Sequence, residues 1–170
     1  MKKSLLLAAL LPFTAALGSP SEPAPPSDNT PSAQEEAPTA VTLYNEGTVL
    51  LFQTQWKAAQ AKLEAALALD EKLAEAHNNL AYVLRKQGDA NYALSLAHYN
   101  RALALKPKLA EAFMYRGALY ALSGKADLAK ADYDTLVSLK SKLAPHLKKI
   151  IDTGKEEEPE QFYGVTKKKR

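Results

Sequence analysis

The sequence predicts an all-α protein in which three antiparallel helix pairs stack on one another and a further helix covers the open end. The tripeptide Lys-Leu-Ala recurs at 72–74, 108–110 and 142–144, at spacings of 36 and 34 residues. A period near 34 residues is typical of stacked two-helix repeats. Helix-forming Ala, Leu, Lys and Glu dominate residues 40–153, and no stretch there alternates apolar and polar residues as a strand does.

The first eighteen residues have the composition of a cleaved export signal. Lysines at positions 2 and 3 precede an apolar run over residues 5–17, and small residues at positions 16 and 18 mark a cleavage site. The run is shorter than the roughly 20 residues that cross a bilayer. We therefore expect cleavage before Ser19, no transmembrane segment in the mature protein, and a location in the periplasm or outside the cell. A buried helix and an uncleaved anchor are the alternatives.

Both flanks of the repeat region have biased compositions. Residues 19–39 carry six prolines among small and polar residues. Such a stretch cannot bury enough apolar surface to offset its ordering entropy, which predicts an extended, disordered linker. Residues 154–170 combine an acidic block at 156–160 with a basic block at 167–170. Charge blocks of this kind are typical of a solvated, disordered tail.

The composition excludes several classes of function. The formal net charge is only +3, and two of the lysines that contribute to it belong to the export signal. Nucleic acid is therefore not an expected partner. The absence of cysteine excludes thiol catalysis and Cys-ligated metals. His77, His98 and His146 are too far apart for a helical metal pair, and His77 is expected to be packed in the core or half-buried. Asp132 and Asp134 are expected on a solvated helix face. Nucleophile-elbow, P-loop and dinucleotide-binding motifs are also missing, so we predict a non-enzyme without metal or cofactor.

Alignment on the period gives repeats 40–73, 74–109 and 110–143, followed by a capping helix over 144–153. Corresponding positions of the three repeats hold residues of one kind. The position where two helices approach closely is small, at Gly47, Ala81 and Gly117, and one position of the second helix is large, at Leu63, Tyr99 and Tyr133. This pattern resembles the tetratricopeptide repeat family over 104 of the 170 residues. Glu46 and Arg116 depart from it, since the family usually has leucine there. Ala90 and Asn91 are two extra residues in the middle turn.

The capping helix is expected to close the array. Repeat proteins need a polar outer cap, because the last repeat otherwise leaves its apolar face in water. Leu147, Ile150 and Ile151 are expected to bury against the second helix of the third repeat, near Tyr133 and Leu136.

The resemblance implies a right-handed superhelix whose concave groove is lined by the first helix of each pair. In that register the candidate partner-binding residues are Tyr44, Leu51, Phe52, Asn78, Asn79, Tyr82, Arg85, Lys86, Met114, Tyr115 and Leu122. Tyr82 is expected at the centre and half-exposed, with Arg85 and Lys86 steering an acidic partner. The family's two-carboxylate clamp for chaperone tails is not expected, because only Asn79 matches it.

The sequence therefore predicts a non-enzymatic protein–protein interaction module of the cell envelope that binds a peptide or protein in this groove. The alternative is a structural or accessory subunit of an envelope assembly or hydrolase complex, docked by its convex or terminal faces. The partner's identity and the oligomeric state are left open by the sequence.

Overall fold

Helices account for the whole architecture in the computed structural model, which describes residues 37–156. The predicted signal, most of the linker and the tail beyond residue 156 lie outside the described residues. The seven α-helices of the described range are α1 (Ala40–Phe52), α2 (Trp56–Leu69), α3 (Ala74–Lys86), α4 (Tyr92–Leu105), α5 (Ala110–Leu122), α6 (Ala126–Ser138) and α7 (Ala144–Thr153). The all-α prediction is confirmed. None of these helices is long and apolar enough to cross a membrane.

Each helix pair packs through its own interface and then against the next pair. Helices α1 and α2, α3 and α4, and α5 and α6 form the pairs, while α2 contacts α3 and α4 contacts α5. The largest fully buried side chains run through all three pairs and the cap, and they include Leu63, Leu80, Tyr99, Leu136 and Leu147. One continuous apolar core therefore holds the array together.

The turns within pairs follow the repeat as well. Residues 53–55 join the two helices of the first pair, and residues 123–125 join those of the third pair. Residues 87–91 join the helices of the second pair and include a short 3-10 helix, Asp89–Asn91. The two extra residues of the middle repeat lie in this turn. Gly88 and Gly124 adopt positive φ angles of 118° and 72°, and Thr54 has φ 56° at the equivalent place in the first turn. A left-handed residue is common where a helix ends, and glycine adopts that conformation most easily.

Two glycines allow the helices to approach closely. A Cβ atom at Gly47 would lie 2.8 Å from Leu63 Cγ, and one at Gly117 would lie 2.5 Å from Leu147 Cδ2. Both distances are shorter than packed side chains tolerate. The small residues predicted at these two positions are therefore required by packing.

The capping helix lies over both helices of the third pair. Leu147 and Ile150 are buried, and Ile151 is partly buried. The sequence predicts contact with α6 near Tyr133 and Leu136, but α7 packs against α5 as well. Because Gly117 has no side chain, Leu147 can reach the backbone of α5. The prediction therefore places the capping helix correctly, but it names only α6 as the packing partner and omits α5.

The prediction that Asp132 lies on a solvated face of α6 is wrong, because its exposed fraction is only 3%. Arg116 on α5 reaches across and donates to both of its carboxylate oxygens, at 3.0 and 2.6 Å. The Arg116 guanidinium also lies over the rings of Phe113 and Tyr120. Burial raises the pKa of Asp132, and the Arg116 cation opposes that rise. Arg116 thus fills a leucine position with an ion pair, whereas Glu46 at the equivalent position is exposed and pairs with Lys62.

Candidate functional site

The first helices of the three pairs form one face of the array. Helix α1 approaches α3, and α3 approaches α5, with Cα atoms within 8 Å of each other. Over residues 40–153, by contrast, no Cα atom of α4 lies within 8 Å of one in α2 or in α6. Because the first helices are closer together than the second helices, the array curves toward α1, α3 and α5. We call the surface of these three helices the inner face.

The predicted groove residues lie at very different depths on the inner face. Leu122 is exposed at 37%, and three others are half-buried: Tyr44, Phe52 and Lys86. The remaining seven are buried: Leu51, Asn78, Asn79, Tyr82, Arg85, Met114 and Tyr115. Leu51, Met114 and Tyr115 belong to the continuous core, so these side chains support the inner face from below.

Tyr82 is the clearest correction to the sequence prediction. It is 1% exposed, where a half-exposed side chain was expected. Its ring contacts Tyr115 at a centroid distance of 4.9 Å and meets Trp56 edge-on at 6.2 Å. The Arg85 guanidinium and the Lys86 ammonium lie 5.2 and 5.8 Å from the ring centroid. Tyr82 is therefore a central packing residue of the inner face, since aromatic neighbours and two cations enclose it.

A chain of polar side chains runs between α1 and α3 beside this aromatic cluster. Asn78 donates to Asn79 at 3.2 Å, and Asn79 donates to the Thr48 hydroxyl at 3.1 Å. All three side chains are buried. Within residues 37–156, Asn78 Oδ1 accepts no hydrogen bond. Burial raises the pKa of the neighbouring Tyr44, against the hydrogen bond with Thr48. Polar atoms placed so deeply usually have a partner.

The inner face holds a carboxylate at Arg85. Arg85 Nη1 and Nη2 donate to Glu156 Oε2 and Oε1, at 2.9 and 2.6 Å. The side chains are 3% and 12% exposed, and Lys86 Nζ lies 4.0 Å from the same carboxylate. Burial opposes the charge on Arg85, but the Glu156 carboxylate helps to outweigh it, and the pKa of Arg85 is raised. The pair has the bidentate geometry that guanidinium groups make with carboxylates.

Two residues of this site are absent from the predicted groove. Trp56, the first residue of α2, was not assigned to the groove, although it is the single tryptophan of the chain. Glu156 belongs to the stretch predicted to be a solvated tail, and that prediction is wrong for this residue, whose side chain is 12% exposed and paired with Arg85. The signal in the sequence was charge complementarity: residues 156–160 are acidic, whereas Arg85 and Lys86 of the predicted groove are basic.

The predicted histidine in the core is also observed, with a partner. His77 is buried, and its Nδ1 lies 2.9 Å from His98 Nδ1, while His77 Nε2 lies 3.0 Å from the Glu71 carbonyl oxygen. Burial lowers the pKa of both imidazoles. Among residues 37–156, no group of three or more His, Cys, Asp or Glu side chains is placed to hold a metal ion.

Comparison with known proteins identifies the fold through solved structures. No protein-family model matches the chain, and no curated protein matches it. The first TPR of Spaghetti (RPAP3), bound to HSP90 peptide SRMEEVD, is similar at TM-score 0.61 and 21% identity, over 68% of this chain and 92% of that chain. The Arabidopsis OM64 TPR domain is similar at TM-score 0.61 and 18% identity, over 69% and 97%. YrrB, described as a TPR protein with an unusual peptide-binding site, is similar at TM-score 0.60 and 27% identity, over 67% and 59%.

The chain has the tetratricopeptide repeat fold. Its inner face corresponds to the concave groove that the sequence resemblance implied. The tetratricopeptide repeat positions of the two-carboxylate clamp hold Tyr44 and Thr48, then Asn79, then Met114 and Ala118. Thr48 and Asn79 bond each other. The carboxylate in this chain is instead held at Arg85, on the same helix as Tyr82.

Proposed function

We propose that the chain is a non-enzymatic interaction module that binds a peptide or protein partner along its inner face. The observation that carries this proposal is the bidentate seat for a carboxylate at Arg85, deep in the face formed by α1, α3 and α5. A guanidinium is rarely buried without a paired carboxylate, because its desolvation is costly. An inner face that presents one is suited to recognising an acidic group on an extended chain.

The rest of the inner face supplies the other contacts that peptide recognition uses. Phe52 and Leu122 provide half-buried and exposed apolar surface on either side of α3. Interfaces commonly combine a few such apolar anchors with a small number of well-placed polar groups.

Two similar structures support the same proposal by what their names say. The first TPR of Spaghetti (RPAP3) is bound to an HSP90 peptide, SRMEEVD, which contains three acidic residues. YrrB is described as having an unusual peptide-binding site. Peptide binding on this fold is therefore a reasonable model for the chain, although the chain's own carboxylate seat differs from the two-carboxylate clamp.

We also propose that the module works after export, in the periplasm or outside the cell. The proposal rests on the sequence of residues 1–18, with its basic start, apolar run and small residues before Ser19. The proline-rich stretch 19–39 would then connect the cleaved end to the first repeat.

A second candidate function is a permanently docked subunit of an envelope assembly or hydrolase complex. The observation in its favour is the exposed apolar surface on the second helices, at Leu69 of α2, Leu94 of α4, and Leu128 and Val137 of α6. Exposed apolar side chains of this size mark an interaction surface when they are contiguous.

Paired surface variants distinguish the two candidates. The partner is first captured from an envelope extract of the native host with the mature chain, and its affinity is measured by titration. On the proposed function, Phe52→Ala with Leu122→Ala weakens binding at least about tenfold, because anchors of this type carry most of an interface's free energy. The matched control, Leu94→Ala with Leu128→Ala, leaves the affinity unchanged. The reverse result favours the docked subunit and contradicts the groove.

A further inference from the structure

The carboxylate on Arg85 comes from the chain itself. Glu156 follows Arg85 by 71 residues in the sequence and lies just beyond the capping helix. It is the first residue of the acidic segment 156–160, whose sequence is Glu-Glu-Glu-Pro-Glu. The inner face therefore already contacts the start of a short acidic peptide.

The end of α7 directs the chain to this position. Gly154 adopts φ 64°, and its N–H donates to the Ile150 carbonyl oxygen at 2.9 Å. Among residues 37–156, and apart from its neighbours in the chain, no atom lies within 4 Å of a Cβ added at Gly154, so the glycine is required by its backbone angle and not by lack of space. Two residues later the Glu156 carboxylate lies against α3.

The contact has the geometry and burial expected of an anchor. Both oxygens of Glu156 accept from Arg85, both side chains are largely removed from water, and Lys86 adds a second cation at 4.0 Å. A buried, bidentate pair of this kind loses its partner only at a large cost, because the guanidinium would be left buried and unpaired. Glu156 is thus bound in the way that a partner's carboxylate would be bound.

We propose that the acidic segment 156–160 is the resident ligand of the inner face, anchored by Glu156 on Arg85, and that an external partner binds by displacing it with a carboxylate of its own. The inference rests on the proposed function and adds two points to it. The partner belongs to the class of acidic peptides, and its apparent affinity is set by competition within the chain. A tethered segment competes at a high effective concentration, so it lowers the apparent affinity of any external ligand.

Occupancy is tested by paramagnetic broadening in the full chain. Because the sequence contains no cysteine, Gln161→Cys places a single spin label just beyond the segment. We expect amide signals of α3 around Arg85 to broaden, and Glu156→Gln to remove most of that broadening. Asp134→Asn removes an equal charge from an exposed ion pair on α6 and serves as the matched control, which keeps the broadening. Absence of broadening, or broadening that Glu156→Gln leaves unchanged, overturns the proposal.

Competition is tested with a labelled peptide of residues 155–161, titrated into the full chain and followed by fluorescence anisotropy. The Glu156→Gln chain should bind this probe about tenfold or more tightly than the wild type, because its own segment competes less well. The Asp134→Asn control should match the wild type, and circular dichroism should report equal helix content for all three chains. Equal affinity of the wild-type and Glu156→Gln chains for the probe overturns the proposal. If, in addition, the captured partner still depends on Phe52 and Leu122, the groove function stands and only the resident ligand is wrong.

Discussion

Gly117 on α5 and Leu147 on α7 pack so closely that a methyl group on the glycine would lie 2.5 Å from Leu147 Cδ2. The contact joins the last repeat to its cap, and Leu147 is fully buried there. The missing side chain at Gly117 therefore fixes how near α7 can come to the array. Since α7 also leads to Gly154 and Glu156, the same contact positions the segment that reaches Arg85.

Gly117→Ala should destabilise the fold by about 1–3 kcal/mol, because the added methyl group overpacks a filled site. Leu147→Ala alone should cost about 2–5 kcal/mol through the cavity that it leaves. In the double variant the cost of Gly117→Ala should largely disappear, since the methyl group then has space. Urea denaturation followed by circular dichroism measures all three values. Additive costs in the double variant would show that the two residues do not share the site.

Thr54→Gly should stabilise the fold by about 1 kcal/mol, because a β-branched residue is strained at its φ of 56°. Gly124 has the equivalent position in the third pair, with φ 72°. The converse variant, Gly124→Thr, should therefore destabilise by a similar amount. Chemical denaturation of both variants checks the prediction, and it is wrong if Thr54→Gly lowers the midpoint.

Arg116→Leu restores the residue that the family usually has at this position, yet it should destabilise this chain by about 3–5 kcal/mol. The reason is Asp132, which would be left buried without its cation. Adding Asp132→Ala to Arg116→Leu should recover most of the loss, because an apolar pair can replace a buried ion pair. The midpoints of urea denaturation decide. A single variant as stable as the wild type would mean that the ion pair is not needed.

Stability should fall as the pH decreases below about 6.5, the ordinary pKa of histidine. Burial lowers the pKa of both His77 and His98, so the unfolded chain binds more protons than the folded one in this range, and stability rises with pH. Their contribution is complete above the unfolded pKa and is lost as the pH falls toward the lowered folded values. The hydrogen bond between the two Nδ1 atoms also needs one ring nitrogen without a proton.

Charged groups around this pair modify the effect without reversing it. Arg101 lowers and Glu71 raises the pKa of His77, while Glu64 raises that of His98. The measurement is the melting temperature between pH 5.5 and 7.5. His77→Phe, which places an aromatic residue where the third repeat has Phe113, should flatten the profile. An unchanged slope in this variant would contradict the assignment.

The fold could be predicted from the sequence because it repeats. The 34-residue period and the small residues at Gly47 and Gly117 determine which helices pair and where they approach, and such patterns are local. The inner face could be placed for the same reason, since its residues follow the helix register. The burial of each inner-face side chain could not be predicted from the helix register. Tyr82 lies at the expected position, but it is buried because Trp56 and Tyr115 enclose its ring from other helices.

The two buried ion pairs could not be predicted from the sequence for a related reason. Arg116 and Asp132 lie on different helices, and each alone has the composition of a solvated face. Glu156 lies 71 residues from Arg85 in a stretch whose charge blocks are typical of a free tail. A single short sequence contains no local signal for a contact at that distance. Charge complementarity between the acidic segment and α3 permitted the pairing without specifying it.

Hydrogen–deuterium exchange of the chain with and without its captured partner tests the central claim most directly, because it reports which helices the partner covers. If the inner face is the binding surface, the partner slows exchange in α3 and α5 and in the half-buried part of α1 that contains Phe52. Exchange at 155–156, which includes Glu156, becomes faster as the resident segment is displaced. Protection confined to α2, α4 and α6, with the inner helices unchanged, would contradict the account and favour a subunit docked by its outer surface.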